Sequence, residues 1–203
     1  MQGQLWIVAA PSGGGKTSLI AEAVRVLDDV VESVSHTTRP ARPGEVEGVH
    51  YFFVPPERFQ AMIDADGFLE YAQVFHNAYG TAAAQVDALL AAGKDVILSI
   101  DWQGAQQVMA RRPDTRSVFL LPPSLDALRE RLTARGQDNA AVVEKRMAEA
   151  EEQISHFNAF EFVIVNEKFA QAAGELQALI LSDRLRRVRC TADLQPLLKR
   201  LGQ

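Results

Sequence analysis

The chain has 203 residues and a formal net charge of −5, with an apolar fraction of 47% and a charged fraction of 23% that are those of an ordinary globular protein. That length can bury a sizeable core in one domain, and the acidic balance without a long basic run argues against a dedicated nucleic-acid binder. The single cysteine, Cys190, excludes an intrachain disulfide and fits a reducing cytosol. No segment approaches transmembrane length and the apolar N-terminal stretch is too short for a signal peptide, so a cytoplasmic protein with no membrane partner is expected.

In chain order, Leu5–Ala9 predicts a buried strand. Behind it stand Ala10, Pro11, Ser12, Gly13, Gly14, Gly15, Lys16, Thr17 and Ser18. Apolar residues at helical spacing follow: Leu19, Ile20, Ala23, Val24 and Leu27. Strand, glycine-rich turn, Lys-Thr and helix are the setting of a phosphate-binding loop. Three glycines let backbone N–H groups curl toward phosphate oxygens, and the helix adds the positive end of its dipole. Lys16 can bridge the β- and γ-phosphates of a nucleoside triphosphate, and the Thr17 hydroxyl can ligate Mg2+. Ala10 replaces the first glycine of the general pattern, so it must sit where a small β-carbon is tolerated.

Val30–Ser35 predicts a second strand, followed by a proline-containing loop. His50–Val54 reads as a strand, Glu57–Ala65 as a short helix, Phe68–Phe75 as a strand and Asn77–Thr81 as a loop. A small, mostly β insertion is thus expected between residues 36 and 82. A helix marked by Val86, Leu89 and Leu90 then ends at Gly93, and Val96–Ile100 forms a buried strand ending at Asp101. Gln103–Arg112 is a helix and Ser117–Leu121 a strand. Ser124 caps a helix with Leu125, Leu128 and Leu132 on its buried face. After a break at Gly136, a long charged helix runs to about His156 with Val143, Met147, Ala150 and Ile154 on one stripe. Phe162–Val165 is the last strand, and a final amphipathic helix carries Leu176, Leu179, Ile180 and Leu185. Short apolar strands alternating with helices predict an α/β fold, a doubly wound parallel sheet covered on both faces.

Two segments carry further chemistry. Arg39 and Arg42 flank a proline, and Tyr51 follows shortly. Two guanidinium groups and a phenol make a receptor for a phosphate monoester, although a solvated charged loop would look the same. Glu70 shares a strand face with Phe68, Ala72 and Val74, and a carboxylate among apolar neighbours needs a partner. Guanine offers N1–H and N2–H2 side by side, which one carboxylate can accept together; adenine lacks that pair. The competing reading is an exposed glutamate on an edge strand. Ser35 and Thr81 could donate to guanine O6, and Tyr79 could add a phosphate contact. His36, His50, His76 and His156 lack metal-ligand spacing. Arg184, Arg186, Arg187 and Arg189 lie at a helix C-terminus and read as a solvated face or subunit contact rather than a nucleic-acid site.

The blocks S-x-T-T-R-x-x-R-P-G-E and F-L-E-Y-A-x-V-x-x-N-x-Y-G-T, behind P-S-G-x-G-K-T, resemble the bacterial guanylate kinases. The resemblance runs from about Leu5 to Arg187 and includes Asp101–Gln107 and Arg131–Gly136. It implies a P-loop core of residues 1–35, 83–125 and 157–190, a GMP-binding subdomain of 36–82 and a helical lid of 126–156. It implies ATP + GMP ⇌ ADP + GDP with Mg2+. The loop residues Ala10 to Ser18, with Asn166, would hold ATP. Ser35, Glu70, Gly80 and Thr81 would hold the guanine end of GMP, and Arg39, Arg42, Tyr51 and Tyr79 its phosphate. Asp101 would stand between guanine and the metal, with Thr17 as the other metal residue. Lys16, Arg39, Arg131, Arg135 and Arg146 would serve catalysis, the last three arriving with the lid.

The chain departs from the family pattern in four places: Ala10 for glycine, Ser99 for the first aspartate of D-I-D, Ala78 for a tyrosine and Glu167 for aspartate. Ser99 removes a carboxylate near the metal and guanine, and Ala78 is expected to trim the GMP pocket wall. Two rivals remain at this stage: a non-catalytic binding module on the same fold, and a kinase for another small molecule such as a ribose phosphate. A homo-oligomer stays open.

Overall fold

The computed structural model describes residues 2–74, 76–134 and 140–202. In chain order its strands are β1 (Leu5–Ala9), β2 (Val30–Glu32), β3 (His36–Thr37), β4 (Phe52–Phe53), β5 (Phe68–Val74), β6 (Asn77–Ala82), β7 (Asp95–Ser99), β8 (Arg116–Leu121) and β9 (Phe162–Val165). The helices are α1 (Lys16–Val26), α2 (Pro56–Asp64), α3 (Ala83–Ala91), α4 (Trp102–Arg111), α5 (Leu125–Ala134), α6 (Ala140–Ser155), α7 (Phe169–Arg184) and α8 (Arg187–Arg200).

Five strands pair in parallel in the order β2–β7–β1–β8–β9. Every residue of β1 is buried, as a central parallel strand must be when both faces carry helices. Strand alternation divides the core. Trp6 and Val8 point with Ile97, Val118 and Leu120 toward Leu19 and Ile20 of α1 and Leu176 and Ile180 of α7. Leu5, Ile7 and Ala9 point with Leu98 and Phe119 toward Val86 of α3 and Ala105 and Val108 of α4. Each large side chain buried this way contributes about 1.5–3 kcal/mol, so two packed faces hold the sheet. Ligands in such sheets sit beyond the carboxyl ends of the strands, where β1 leads into the glycine loop.

A second sheet, β4–β3–β6–β5, stands beside the first, with β3 antiparallel to β6 and β6 antiparallel to β5. Val54, Phe59, Phe68 and Ala82 form its own small core. Asn77–Thr81, expected as a loop, lies in strand β6. Its glycine and asparagine signal a turn locally, but pairing on both sides with β3 and β5 imposes extension. A bulge between Phe68 and Glu70 also breaks the expected alternation. Phe68 pairs with Ala82 and packs on Phe59, whereas Glu70 pairs with Thr81, so Phe68 and Glu70 face opposite ways. Gly80 permits this packing: a β-carbon there would come within 3.0 Å of the Phe68 ring and 3.1 Å of the Phe59 ring.

α5 and α6 pack on each other through Leu128, Leu132, Val143, Met147 and Ala150. Leu125, expected on the buried face, is exposed at the helix start. Ser124 does cap α5, its hydroxyl accepting from the Ala127 N–H at 3.0 Å. α8 was not foreseen, because Pro196 and its mixed polar sequence hide the helical period. It is anchored electrostatically. The Arg189 guanidinium donates to Asp95 Oδ1 at 2.6 Å and Asp183 Oδ2 at 2.7 Å. Arg184 and Arg116 complete the cluster. The expectation of a solvated arginine face is therefore corrected for Arg184 and Arg189, which neutralise buried carboxylates at the amino ends of the strands. Among the described residues no helix is long and apolar enough to cross a membrane.

Candidate active site

The glycine loop folds as its composition dictates. Gly13 and Gly15 have φ of 85° and 90°, which L side chains rarely adopt. Gly15 is also the N-cap of α1, with no side-chain cap and no acidic residue in the first helical turn. The leading N–H groups of the helix are thus left to an anion. Ala10 is tolerated because Gly14 has no β-carbon; one there would lie 3.0 Å from Ala10 Cβ. Residues 10–18 line a cavity of about 210 Å3. Asn166, buried at the end of β9, donates from Nδ2 to the Gly14 carbonyl at 2.9 Å and so holds the loop's shape. Lys16 Nζ donates to the Ile100 carbonyl at 2.9 Å. Burial pushes the Lys16 ammonium down to about 8, against the opposing pull of Asp101, Glu32 and Glu70. The lysine is thus a desolvated cation surrounded by carboxylates that oppose its neutralisation.

On the second sheet, Arg39, Tyr51 and Tyr79 gather. The Arg39 guanidinium lies 5.5 Å from the Tyr51 ring centre, and the two tyrosine rings meet edge-on at 6.0 Å. Burial raises the Tyr51 phenol above its ordinary range. Arg39 donates to Glu45 Oε1 at 2.7 Å, and Glu45 Oε2 accepts from the Arg42 N–H at 2.7 Å. The Arg39 hydrogen bond is the main reason the Glu45 carboxyl is held down at about 2. The Arg42 residue itself is exposed. Ser35 lines, with Tyr51 and Glu45, a cavity of about 350 Å3 that continues to Thr17.

Glu70 is 6% exposed although β5 is an edge strand, because α4 covers it. Its Oε1 accepts from the Thr81 hydroxyl at 2.6 Å. Desolvation raises its carboxyl above the ordinary range, opposed by the Thr81 hydrogen bond. Asp101 caps α4, accepting from the Gly104 N–H at 2.8 Å. A β-carbon on Gly104 would meet Glu70 Oε2 at 3.0 Å and Asp101 Oδ1 at 3.5 Å, so the two carboxylates converge there.

From the helix pair, Arg131 Nη2 donates to the Asn166 carbonyl at 2.8 Å, and its buried Nη1 has no hydrogen-bond partner among the described residues. Leu128 and Leu132 lie against Gly13 of the loop. Arg146 is half-buried on α6. Arg135 lies outside the described residues. Trp102 at the start of α4 stacks on His156 just beyond α6, ring centres 3.5 Å apart.

One expectation is overturned. Ala78 does not trim the wall of the arginine–tyrosine cluster. Alternation along β6 places it opposite Tyr79, against Phe59 and Ile63 in a separate cavity. Two residues were missed as site members: Glu45, whose carboxylate holds Arg39, and Glu32, which lines the cavity with Thr17 and Ser99. Glu45 closes the quoted motif, so a carboxylate three residues after the second arginine was a usable signal. Glu32 had none.

A parallel sheet feeding a glycine loop, a half-buried lysine at the helix start and a second arginine-bearing sheet across the cleft define a P-loop phosphotransferase. The sequence model of the guanylate kinase family matches residues 2–183. A guanylate kinase of Legionella pneumophila (strain Lens) is 51% identical over 91% of this chain and 88% of its own length. One of Nitrosococcus oceani is 51% identical over 99% of both. The crystal structure of guanylate kinase from Anaplasma phagocytophilum superposes with a TM-score of 0.72 at 31% identity, covering 93% of this chain and 89% of that one. The chain belongs to the guanylate kinase family, nucleoside monophosphate kinases that phosphorylate GMP to GDP with ATP.

Proposed function

We propose that this chain transfers the γ-phosphoryl group of ATP directly to GMP, selecting guanine through Glu70. The observation that carries the reading is the state of Glu70. It is a buried carboxylate with one side-chain donor, Thr81, on a group that can accept several hydrogen bonds. The remaining acceptor capacity matches the paired N1–H and N2–H2 of guanine. AMP would leave the remaining acceptor sites of this buried carboxylate unpaired, and sites built this way discriminate by about 10^4–10^5.

In this reading residues 36–82 are the GMP-binding subdomain and residues 126–156 the lid. Arg39, Arg42, Tyr51 and Tyr79 hold the acceptor phosphate, with Arg39 exchanging Glu45 for phosphate oxygens. Ser35 and Thr81 support the base beside Gly80. The loop from Ala10 to Ser18 cradles the ATP phosphates, and Asn166 keeps its curvature. A GMP phosphate oxygen bonds to the γ-phosphorus while the bond to the β–γ bridging oxygen breaks, with no covalent enzyme intermediate. Lys16, Arg131, Arg135 and Arg146 neutralise the migrating group, and the buried Nη1 of Arg131, without a partner among the described residues, is a donor for it. Closure of α5 and α6 excludes water.

The residues fit Mg2+ in the way such sites hold it. Among the described residues no group of three or more carboxylate, histidine or cysteine side chains could hold a metal unaided. Thr17 and Asp101 offer single oxygens that would share the ion with nucleotide phosphates. When bound, Mg2+ neutralises β- and γ-phosphate charge. The test is ADP release from ATP and Mg2+ with GMP, AMP, CMP and UMP in parallel. GMP-dependent release absent with AMP is expected; equal turnover with AMP would overturn the reading.

A further inference from the structure

Glu32 belongs to no motif, yet the fold carries it to the triphosphate end of the cleft. β2 and β7 pair in parallel with Glu32 opposite Ile97. Residues opposite one another project from the same face, as do residues two apart on a strand. Glu32 and Ser99 therefore share the face covered by α1, and Val8 of β1, opposite Ser99, shares it too. They lie at the carboxyl ends of their strands, where α1 begins with Lys16 and Thr17. Thr17, Glu32 and Ser99 line one cavity of about 350 Å3. Glu32 is exposed, yet nearby groups partly desolvate its carboxyl and raise it above its ordinary range, with the Ser99 hydroxyl and Lys16 drawing it back down.

Ser35, Glu45, His50 and Tyr51, among the other residues lining that cavity, lead away to the second sheet. Among the residues lining this cavity at the Thr17 end, Glu32 carries the carboxylate, and across the loop Asp101 and Glu70 also act on Lys16. Ser99 contributes a hydroxyl where the family pattern has a carboxylate, and Asp101 Oδ1 is engaged by the Gly104 N–H. A carboxylate beside the loop acts differently on two forms of the nucleotide. It repels a metal-free triphosphate, whereas a divalent cation carried by the triphosphate is attracted to it and the net repulsion falls.

We propose that Glu32 is a positioning residue of the triphosphate site, adding from β2, beside the Ser99 hydroxyl, a carboxylate charge that strengthens the preference of this site for metal-bound over metal-free ATP. This rests on the reading of Lys16 and Thr17 as the triphosphate end.

The test is the ATP dissociation constant of the full chain, measured by calorimetry without GMP, once with chelator and once with Mg2+. The ratio of the two is the metal-dependent gain. In Glu32→Gln the metal-free affinity is expected to rise a few-fold and the gain to fall by about 5–10-fold. Adding Ser99→Asp to Glu32→Gln returns a carboxylate to the same cavity and is expected to restore most of the gain. A purely structural contact between β2 and β7 would change the unfolding midpoint and leave the gain untouched. A gain in the parent that Glu32→Gln retains overturns the inference alone. No gain in the parent overturns the reading of Thr17 and this inference with it. Should Glu32→Gln lower the unfolding midpoint, Glu32→Asp decides: it keeps the charge, so a retained gain supports the proposal and a lost one overturns it. Weakened GMP binding with an unchanged gain would assign Glu32 to the acceptor end and also overturn it.

Discussion

The two ends of this cleft proposed to hold phosphate are built from different material. The glycine-loop end is largely main chain: N–H groups at the start of α1, curvature set by Gly13 and Gly15, and Asn166 clasping the Gly14 carbonyl. The second-sheet end is made of side chains that occupy one another. Arg39 is paired with Glu45, and Glu70 accepts from Thr81. A main-chain site is ready for its anion without rearrangement. A side-chain site must exchange an internal partner for the ligand, which makes it sensitive to single substitutions and to pH.

The largest effect should fall on the charged side chain of the glycine loop itself. Lys16→Met is expected to lower kcat by about 10^3 or more, because a cation held at the helix start beside the transferring phosphoryl group is lost. Its unfolding midpoint should hold, since a desolvated ammonium is removed with the function. Steady-state kinetics beside thermal melting separate the two. Next, Glu70→Gln should reduce the GMP-over-AMP ratio of kcat/KM by about 10^2–10^3. An unchanged ratio would reduce Glu70 to a structural partner of Thr81.

The ion pair offers a finer probe. Arg39→Ala should weaken GMP binding by about 10–100-fold and leave ATP binding unchanged, as a charge-assisted phosphate contact is lost. Glu45→Gln should instead tighten GMP slightly by releasing Arg39; calorimetric titration of both nucleotides reads the contrast.

Acidity should give the smallest effects, with opposite signs in the two glutamates. The raised carboxyl of Glu70 keeps its proton to a pH above the ordinary 4.5, so GMP affinity should weaken on acidification before 4.5 is reached, and Glu70→Gln should abolish that step. Ionising Glu70 lowers folding stability as pH rises from 4.5 through its folded value. Glu45 is the reverse. Held at about 2, it contributes stability above 4.5 that is lost as pH falls through 2. Melting curves of the parent and Glu45→Gln across that interval should converge at its acid end.

Much of this was legible in order along the chain. The β1–loop–α1 unit reads directly because its signals are local: an apolar run, glycines where φ must be positive, and a helical stripe. The arginines and Glu70 were legible as residue types whose chemistry implies a ligand. Segments whose state depends on partners were not. Asn77–Thr81 reads as a turn until β3 and β5 pair with it. Ala78 changes side once the strand's alternation is anchored by Tyr79. α8 is held by Arg189 on Asp95 and Asp183, contacts that leave no period in the sequence.

By itself the sequence determined the strand and helix periods, the curvature of the glycine loop and the kinds of groups facing the cleft, because each depends on near neighbours in the chain. Only the tertiary structure decided which of those groups meet. Glu45 holds Arg39, Asn166 holds Gly14 across 152 residues, and Glu32 reaches the Thr17 end through the register of β2 on β7. Such meetings are set by strand order and packing, whose energies are summed over the whole core and so leave little trace at any single residue.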